Sequence, residues 1–168
     1  MDARLPILQP IRQEQIAEAK RLIVTVARNI YRWPASVDEM LRHFAARGEL
    51  SDMDDIQANY LDQGGLFLAV MHDGRLIGTG ALRRLDADTA ELKRLWLLEA
   101  YHGQGIGFRV MQELLTFARA SGYARIVLQT DYEQTRAIRF YTRLGFMPIP
   151  PYREDAGDVY MALPLPGR

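Results

Sequence analysis

The stretch His102-Gly103-Gln104-Gly105-Ile106-Gly107 decides how the rest of this chain is read. Ahead of it runs an apolar, strand-like segment over 92–98. Behind it, a segment over 108–120 carries Val110, Met111, Leu114, Leu115 and Ala118 at the spacing of one helix face. Strand, glycine turn and helix in that order present unpaired N–H groups at a helix N-terminus, where the macrodipole adds partial positive charge. Such a site suits a phosphate or pyrophosphate. Glycines at alternate positions also let a ligand reach the backbone without meeting a Cβ atom. On the glycines alone, a tight strand-to-helix turn that binds nothing would look the same.

The composition narrows the setting. A chain of 168 residues, 48% apolar, fits one domain over 1–168 with a single core. Lys plus Arg and Asp plus Glu stand at 21 each, so no general attraction to nucleic acid or anionic membrane is expected. The pairs Lys93-Arg94 and Arg83-Arg84 are local exceptions, available as anion contacts or as solvated charge. Without cysteine there are no disulfides, zinc–thiolate sites or cysteine nucleophile within the chain, and no metal is expected. Asp2, Arg4, Arg12 and Glu14 interrupt the first residues, so no signal peptide is expected, and no apolar run approaches the ~18 residues of a membrane span. The expectation is a soluble, cytoplasmic protein.

Outward from the loop, 66–72 reads as a buried strand and Asp73-Gly74 as a hairpin turn. A second strand over 75–85 and a third over 89–98 complete an antiparallel meander. Upstream, 6–12 reads as a short strand. The segment 13–30 reads as a helix with Ile16, Ala19, Ile23, Val26 and Ala27 on one face. Trp33-Pro34 ends it, because proline disfavours helical geometry in the preceding residue. Ser36 caps a second helix, with Glu39 in capping-box position and Met40, Leu41 and Phe44 following, that closes near Gly48. A short acidic helix is expected over 52–60. Downstream, Gly122 caps the loop helix, and 125–130 is a strand parallel to the one before it, because a helix joins them. The segment 134–144 is a helix stopped by Gly145, and 146–149 with 158–163 form a closing hairpin around Pro150-Pro151.

Two phosphate-binding patterns fail on inspection. A P-loop ends in Gly-Lys-Ser/Thr, whereas Gly107 is followed by Phe108-Arg109. A dinucleotide fingerprint needs a glycine where Phe108 stands and sits on the first strand of its domain. Here three antiparallel strands precede it.

The order of elements, the loop from His102 to Gly107, and Ala137-Ile138-Arg139-Phe140-Tyr141-Thr142-Arg143-Leu144-Gly145-Phe146 together resemble the GNAT superfamily of N-acetyltransferases. That family's loop reads Arg/Gln-x-x-Gly-x-Gly/Ala, and its later signature Asn-x-x-Ala-x-x-x-Tyr-x-x-x-Gly-Phe. The resemblance covers 91–146; the N-terminal half matches only in its pattern of elements. Two positions depart from the pattern. His102 replaces Arg or Gln, and Gln134 replaces Asn.

The resemblance implies an α/β (α+β) fold: a mixed, mostly antiparallel central sheet, helices on both faces, and a splayed parallel strand pair. It implies acetyl-CoA as acyl donor. The N–H groups of Gly103, Gln104, Gly105, Ile106, Gly107 and Phe108, assisted by His102, would hold the pyrophosphate. Leu95, Trp96 and Leu97 would pair through their backbone with the pantetheine arm, and Gln134 and Ala137 would border it. Tyr141 is the matched position for protonating the departing thiolate, a phenol of pKa ~10 against a thiol of ~8.5. A backbone N–H near Leu97 would hold the oxyanion. Glu91 is expected as the base that deprotonates the ammonium, because strand alternation puts it on one face with Lys93, Leu95 and Leu97. Tyr152, Tyr132 and Asp131 are weaker candidates near the same opening.

The acceptor is the open end. Tyr31, Trp33 and Phe44 are candidates to line it, together with the segment 148–158. Arg83 and Arg84 would suit an acidic acceptor, and Glu49, Asp52, Asp54 and Asp55 a basic one; both stay open. A small-molecule amine is expected rather than a protein tail, and a homodimer is left open. The alternative function on the same fold is a non-catalytic acyl-CoA sensor or interaction module, which would need neither Glu91 nor Tyr141.

Overall fold

Three consecutive apolar-rich runs build the middle of a seven-stranded sheet: β2 (Leu66–His72), β3 (Arg75–Arg84) and β4 (Thr89–Leu97). They pair antiparallel in sequence order. Asp73 and Gly74 turn between β2 and β3 with φ of 48° and 77°, the left-handed pair that a tight hairpin requires. A computed structural model describes residues 5–154 and 157–167. Asp2, Arg4 and the 155–156 part of the expected acceptor segment lie outside the described residues.

The remaining strands flank this meander. An edge strand β1 (Ile7–Pro10) lies against β2. On the other side come β5 (Arg125–Asp131), β7 (Asp158–Pro164) and β6 (Met147–Pro148), in the order β1-β2-β3-β4-β5-β7-β6. Among the described residues only β4 and β5 run parallel, and β6 and β7 form the closing hairpin. The fold is the mixed α/β sheet that the sequence implies.

Helices cover both faces. On one side α1 (Ile16–Tyr31) and α2 (Val37–Arg47) bury Ile23, Val26 and their neighbours against Phe67, Ala69 and Ala81. On the other, α3 (Ile106–Ala120) and α4 (Thr135–Leu144) close over Leu82, Leu92, Ile126 and Leu128. Each fully buried Leu or Ile in these layers contributes roughly 1.5–3 kcal/mol. Ser36 and Glu39 exchange both capping-box hydrogen bonds at the start of α2, at 3.2 and 2.7 Å. Among the described residues no helix is long and apolar enough to cross a membrane.

Three expectations are corrected. The acidic helix over 52–60 is instead a 3-10 turn, Ser51–Met53, and a π-helical turn, Gln57–Leu61. The Asp55 carboxylate accepts the Ala58 N–H at 2.9 Å, a local cap that starts a new turn and interrupts a continuous helix. Helix α3 begins at Ile106, with Gly105 as its cap, rather than at 108, so Gly107 lies inside the first turn.

The third correction matters most. Alternation does not run through β4, because the register with β3 shifts between Thr79 and Ala81, and Arg94 opposite has a φ of 54°. A bulge inserts one residue and reverses the facing of everything after it. Ala90 and Leu92 face α3 before it, and Leu95 and Leu97 face α3 after it, while Trp96 packs on the α1/α2 side. Glu91 and Lys93 therefore face α1 and α2, opposite to Leu95 and Leu97.

Candidate active site

The two parallel strands separate soon after they meet. β4 and β5 pair at Thr89–Arg125, Ala90–Ile126 and Glu91–Val127 and no further. Beyond that point the β5-facing backbone edge of β4 has no ladder partner. A cleft of about 170 Å³ opens there, between Lys93, Leu95 and Trp96 on one wall and Leu128, Gln129 and Thr130 on the other. Gln134, Tyr141 and Arg153 close its ends.

Past the end of β4 the chain makes a 3-10 turn, Glu99–Tyr101, and enters the glycine loop. Gly103 and Gly105 take φ of 75° and 76°, and a Cβ built on either would meet nothing within 4 Å. Their requirement is conformational rather than steric. The N–H groups from Gly103 to Phe108 donate to no acceptor among the described residues; the first to do so is that of Arg109, to the Gly105 carbonyl at 3.1 Å. Unpaired donors at the start of a fifteen-residue helix make an anion cradle. His102 is half-buried, and its Nε2 lies 2.8 Å from the Leu97 carbonyl. Nε2 therefore carries the proton and donates it, so the ring ties the loop to the end of β4 rather than facing solvent. The Gln104 side chain donates to the Ala100 carbonyl at 3.1 Å, and the Phe108 ring is exposed.

Tyr141 projects from α4 into the buried layer and lines the cleft. Burial pushes its phenol well above the usual tyrosine range, and its hydroxyl makes no hydrogen bond among the described residues. Ala137, one turn earlier, packs against the same layer. Gln134 sits at the N-cap of α4, and its side-chain N–H₂ donates to the Tyr31 hydroxyl at 3.0 Å. Tyr31 stacks on Trp33, which meets Phe44 edge to face, at centroid distances of 5.2 and 5.5 Å. The aromatic run expected on the acceptor side thus touches a residue of the cleft.

Glu91 is buried and heavily engaged. Its carboxylate accepts from both terminal nitrogens of Arg153, one at 2.8 Å, and from the Tyr152 hydroxyl at 2.8 Å, with Arg83 Nε at 3.5 Å. Burial alone would raise its pKa, but Arg153, Lys93 and Tyr152 outweigh that and hold it below the usual carboxylate range. Proximity to Glu91 in turn adds to burial in keeping the Tyr152 phenol protonated.

Residues 28–146 match the model of the acetyltransferase (GNAT) family. The chain belongs to the GNAT family. It is 39% identical over 90 residues to an uncharacterized N-acetyltransferase of Mycobacterium tuberculosis, covering 53% of this chain and 58% of that protein. It is 33% identical over 120 residues to human N-acetyltransferase 8B, covering 68% of this chain and 49% of that one. The chain thus spans about half the length of these curated relatives. The PaiA N-acetyltransferase of Thermoplasma acidophilum, solved in complex with coenzyme A, superposes with a TM-score of 0.78 at 21% identity, over 96% of this chain and all of that one. At that identity the likeness is one of fold.

In this GNAT fold Leu95 and Trp96 of β4 and Gln134 and Tyr141 of the later signature line one cleft. Other sequence candidates go elsewhere. The Asp131 carboxylate caps the Glu133 N–H at 2.7 Å, and Tyr132 is exposed. The acids considered for a basic acceptor are committed. Asp52 pairs with Arg94 and Tyr60, Asp54 with Lys20, Asp55 with the Ala58 N–H, and Glu49 with Arg47. Arg84 donates to the Asp86 and Ala87 carbonyls and lies over the Tyr123 ring.

Arg153 was missed, because it lies in a segment with no periodicity and finds Glu91 across more than sixty positions. Lys93 was seen only as half of a basic pair. It is half-buried in the cleft, and desolvation, with Arg83 nearby, pushes its ammonium down to about 8.

Proposed function

We propose that this GNAT protein transfers the acetyl group of acetyl-CoA directly to a primary amine of a small molecule. The observation that carries this reading is the cleft between the parted strands, with Tyr141 among its lining residues, together with the unpaired N–H row that opens α3 just after β4. The residues present fit coenzyme A. Gly103 to Phe108 offer donors for its pyrophosphate, and the unladdered edge at Leu95 to Leu97 suits its pantetheine arm, as a peptide adds to a sheet edge. When bound, acetyl-CoA supplies an activated thioester.

The chain supplies the rest. A backbone N–H near Leu97 is positioned by the bulge to donate to a developing oxyanion. Tyr141 keeps its proton, since burial raises its pKa, and so remains a hydrogen-bond donor toward a departing sulfur. Glu91 is a weak proton acceptor in its present company. We place it as the anchor of Tyr152 and Arg153 rather than as the base, and the ammonium proton leaves to solvent.

The test is thiol release from acetyl-CoA across an amine panel, paired with thermal stabilisation by CoA, ATP and NAD. Acetyl transfer predicts turnover with at least one amine and stabilisation by CoA alone. CoA stabilisation without turnover, combined with a silent Tyr141→Phe, would mean an acyl-CoA-binding module. Glu91→Gln separates its two roles: an anchor raises the acceptor KM, whereas a base would collapse kcat with KM unchanged.

A further inference from the structure

The α1/α2-facing side of β3 and β4 carries more positive charge than its own residues neutralise. Arg153 is spent on Glu91, and Arg94 on Asp52, with hydrogen bonds of 2.5 and 3.1 Å. Lys93 and Arg83 are left over. Lys93 makes no hydrogen bond or ion pair among the described residues, although it is half-buried in the cleft wall. Arg83 has only a 3.5 Å approach to Glu91, whose oxygens are already filled. The two residues are diagonal neighbours on one face, because Ala81 is registered with Lys93 and Arg83 with Glu91.

Burial of Lys93 carries a desolvation cost that the fields of Glu91 and Asp52 offset only in part, and with Arg83 and Arg94 nearby its ammonium is pushed down to about 8. The arrangement lacks an anion. The acyl donor's phosphates are not the natural source, since the N–H row that fits them opens α3, which packs on the opposite face of the sheet. Nor do the nearby acids supply it, because Glu49, Asp52, Asp54 and Asp55 are all engaged. In the acetyl-transfer reading, this side of the cleft, opposite the donor's phosphates, is the acceptor's.

We infer that the acceptor amine also bears a carboxylate, and that Lys93 and Arg83 bind that carboxylate. This rests on the acetyl-transfer reading and narrows its substrate to amino-acid-like amines, as against polyamines or aminated sugars. The basic acceptor that the sequence left open is disfavoured on the same ground. A cationic substrate would meet Lys93 and Arg83 with like charge.

The experiment compares L-glutamate and L-phenylalanine with their carboxamides, 2-aminoethyl phosphate and spermidine. It reads kcat/KM with acetyl-CoA and, separately, calorimetric binding to the CoA-loaded protein. The free acids should exceed their amides at least tenfold. Lys93→Met and Arg83→Met should each remove most of that preference through KM, Lys93→Arg should restore it, and CoA-induced thermal stabilisation should persist throughout as proof of folding. If no amine turns over but the acids still bind in a Lys93-dependent way, the transfer reading fails and the carboxylate site stands. Equal or better use of amides, spermidine or the aminoalkyl phosphate would overturn the inference. So would a preference that survives both substitutions, or neither binding nor turnover of any acid.

Discussion

The two faces of β4 are built by different means. The α3 face is a matter of backbone: unpaired N–H groups, glycines in left-handed conformation, and the open strand edge after Glu91. The α1/α2 face is a matter of side chains: Glu91 gripped by Arg153 and Tyr152, Arg94 by Asp52, and Lys93 held by no hydrogen bond or ion pair among the described residues. Backbone recognition tolerates sequence change around it, because every residue but proline offers an N–H. Side-chain recognition turns on single positions. The proposed function puts the acyl donor on the first face and the acceptor on the second.

Substitutions can break or sharpen that contrast. The largest effect is expected at Tyr141, which lines the cleft from α4. Tyr141→Phe should lower kcat by about 10²- to 10⁴-fold while CoA affinity, measured by calorimetry, stays put. A parallel loss of CoA binding would show that the hydroxyl is structural.

Next comes the ion pair that holds the bulge. Asp52→Ala leaves Arg94 unpaired, with its side chain only 17% exposed, and should cost about 3 kcal/mol of stability in chemical denaturation. A loss of a few tenths would mean that Arg94 relaxes to solvent and that the pair does not support the kink.

The pH dependence follows from the same carboxylates. Asp52 is lowered, against the pull of burial, chiefly by Arg94, and Glu91 chiefly by Arg153. Their contribution to stability is complete above the unfolded values near ~4. It drains away as pH falls through their lower folded values. Melting temperature should therefore decline on acidification below about pH 4, and the decline should be shallower in Asp52→Asn. An unchanged slope would sink the pairing account.

The smallest effect tests the α1/α2 side away from the cleft. Ser36→Ala removes one half of the capping box and should cost about 1 kcal/mol without altering kcat/KM. A change in acceptor KM would instead tie the α1–α2 connection to substrate.

Legibility divides along the same line. The meander, the loop, α3 and the Tyr141 segment could be read because they rest on local signals: apolar runs, Asp73-Gly74, alternate glycines and helical spacing. Arg153 on Glu91 and Asp52 on Arg94 could not, since a charge pair across sixty or forty positions leaves no local trace. The bulge escaped for a different reason. Arg94 is not the residue type that advertises a left-handed backbone, so strict alternation was carried one position too far and turned Leu95 and Leu97 to the wrong side.

That choice of residue has a consequence for engineering. A glycine at the kink would make the strand break self-sufficient. With arginine there, the kink borrows its counter-ion from the connection that follows α2, where Asp52 and the Glu49 carbonyl receive the guanidinium. The connection after α2 is therefore not a cassette. Grafting 49–52 from a homologue without the acid would exchange that connection and unfasten the strand break in one stroke.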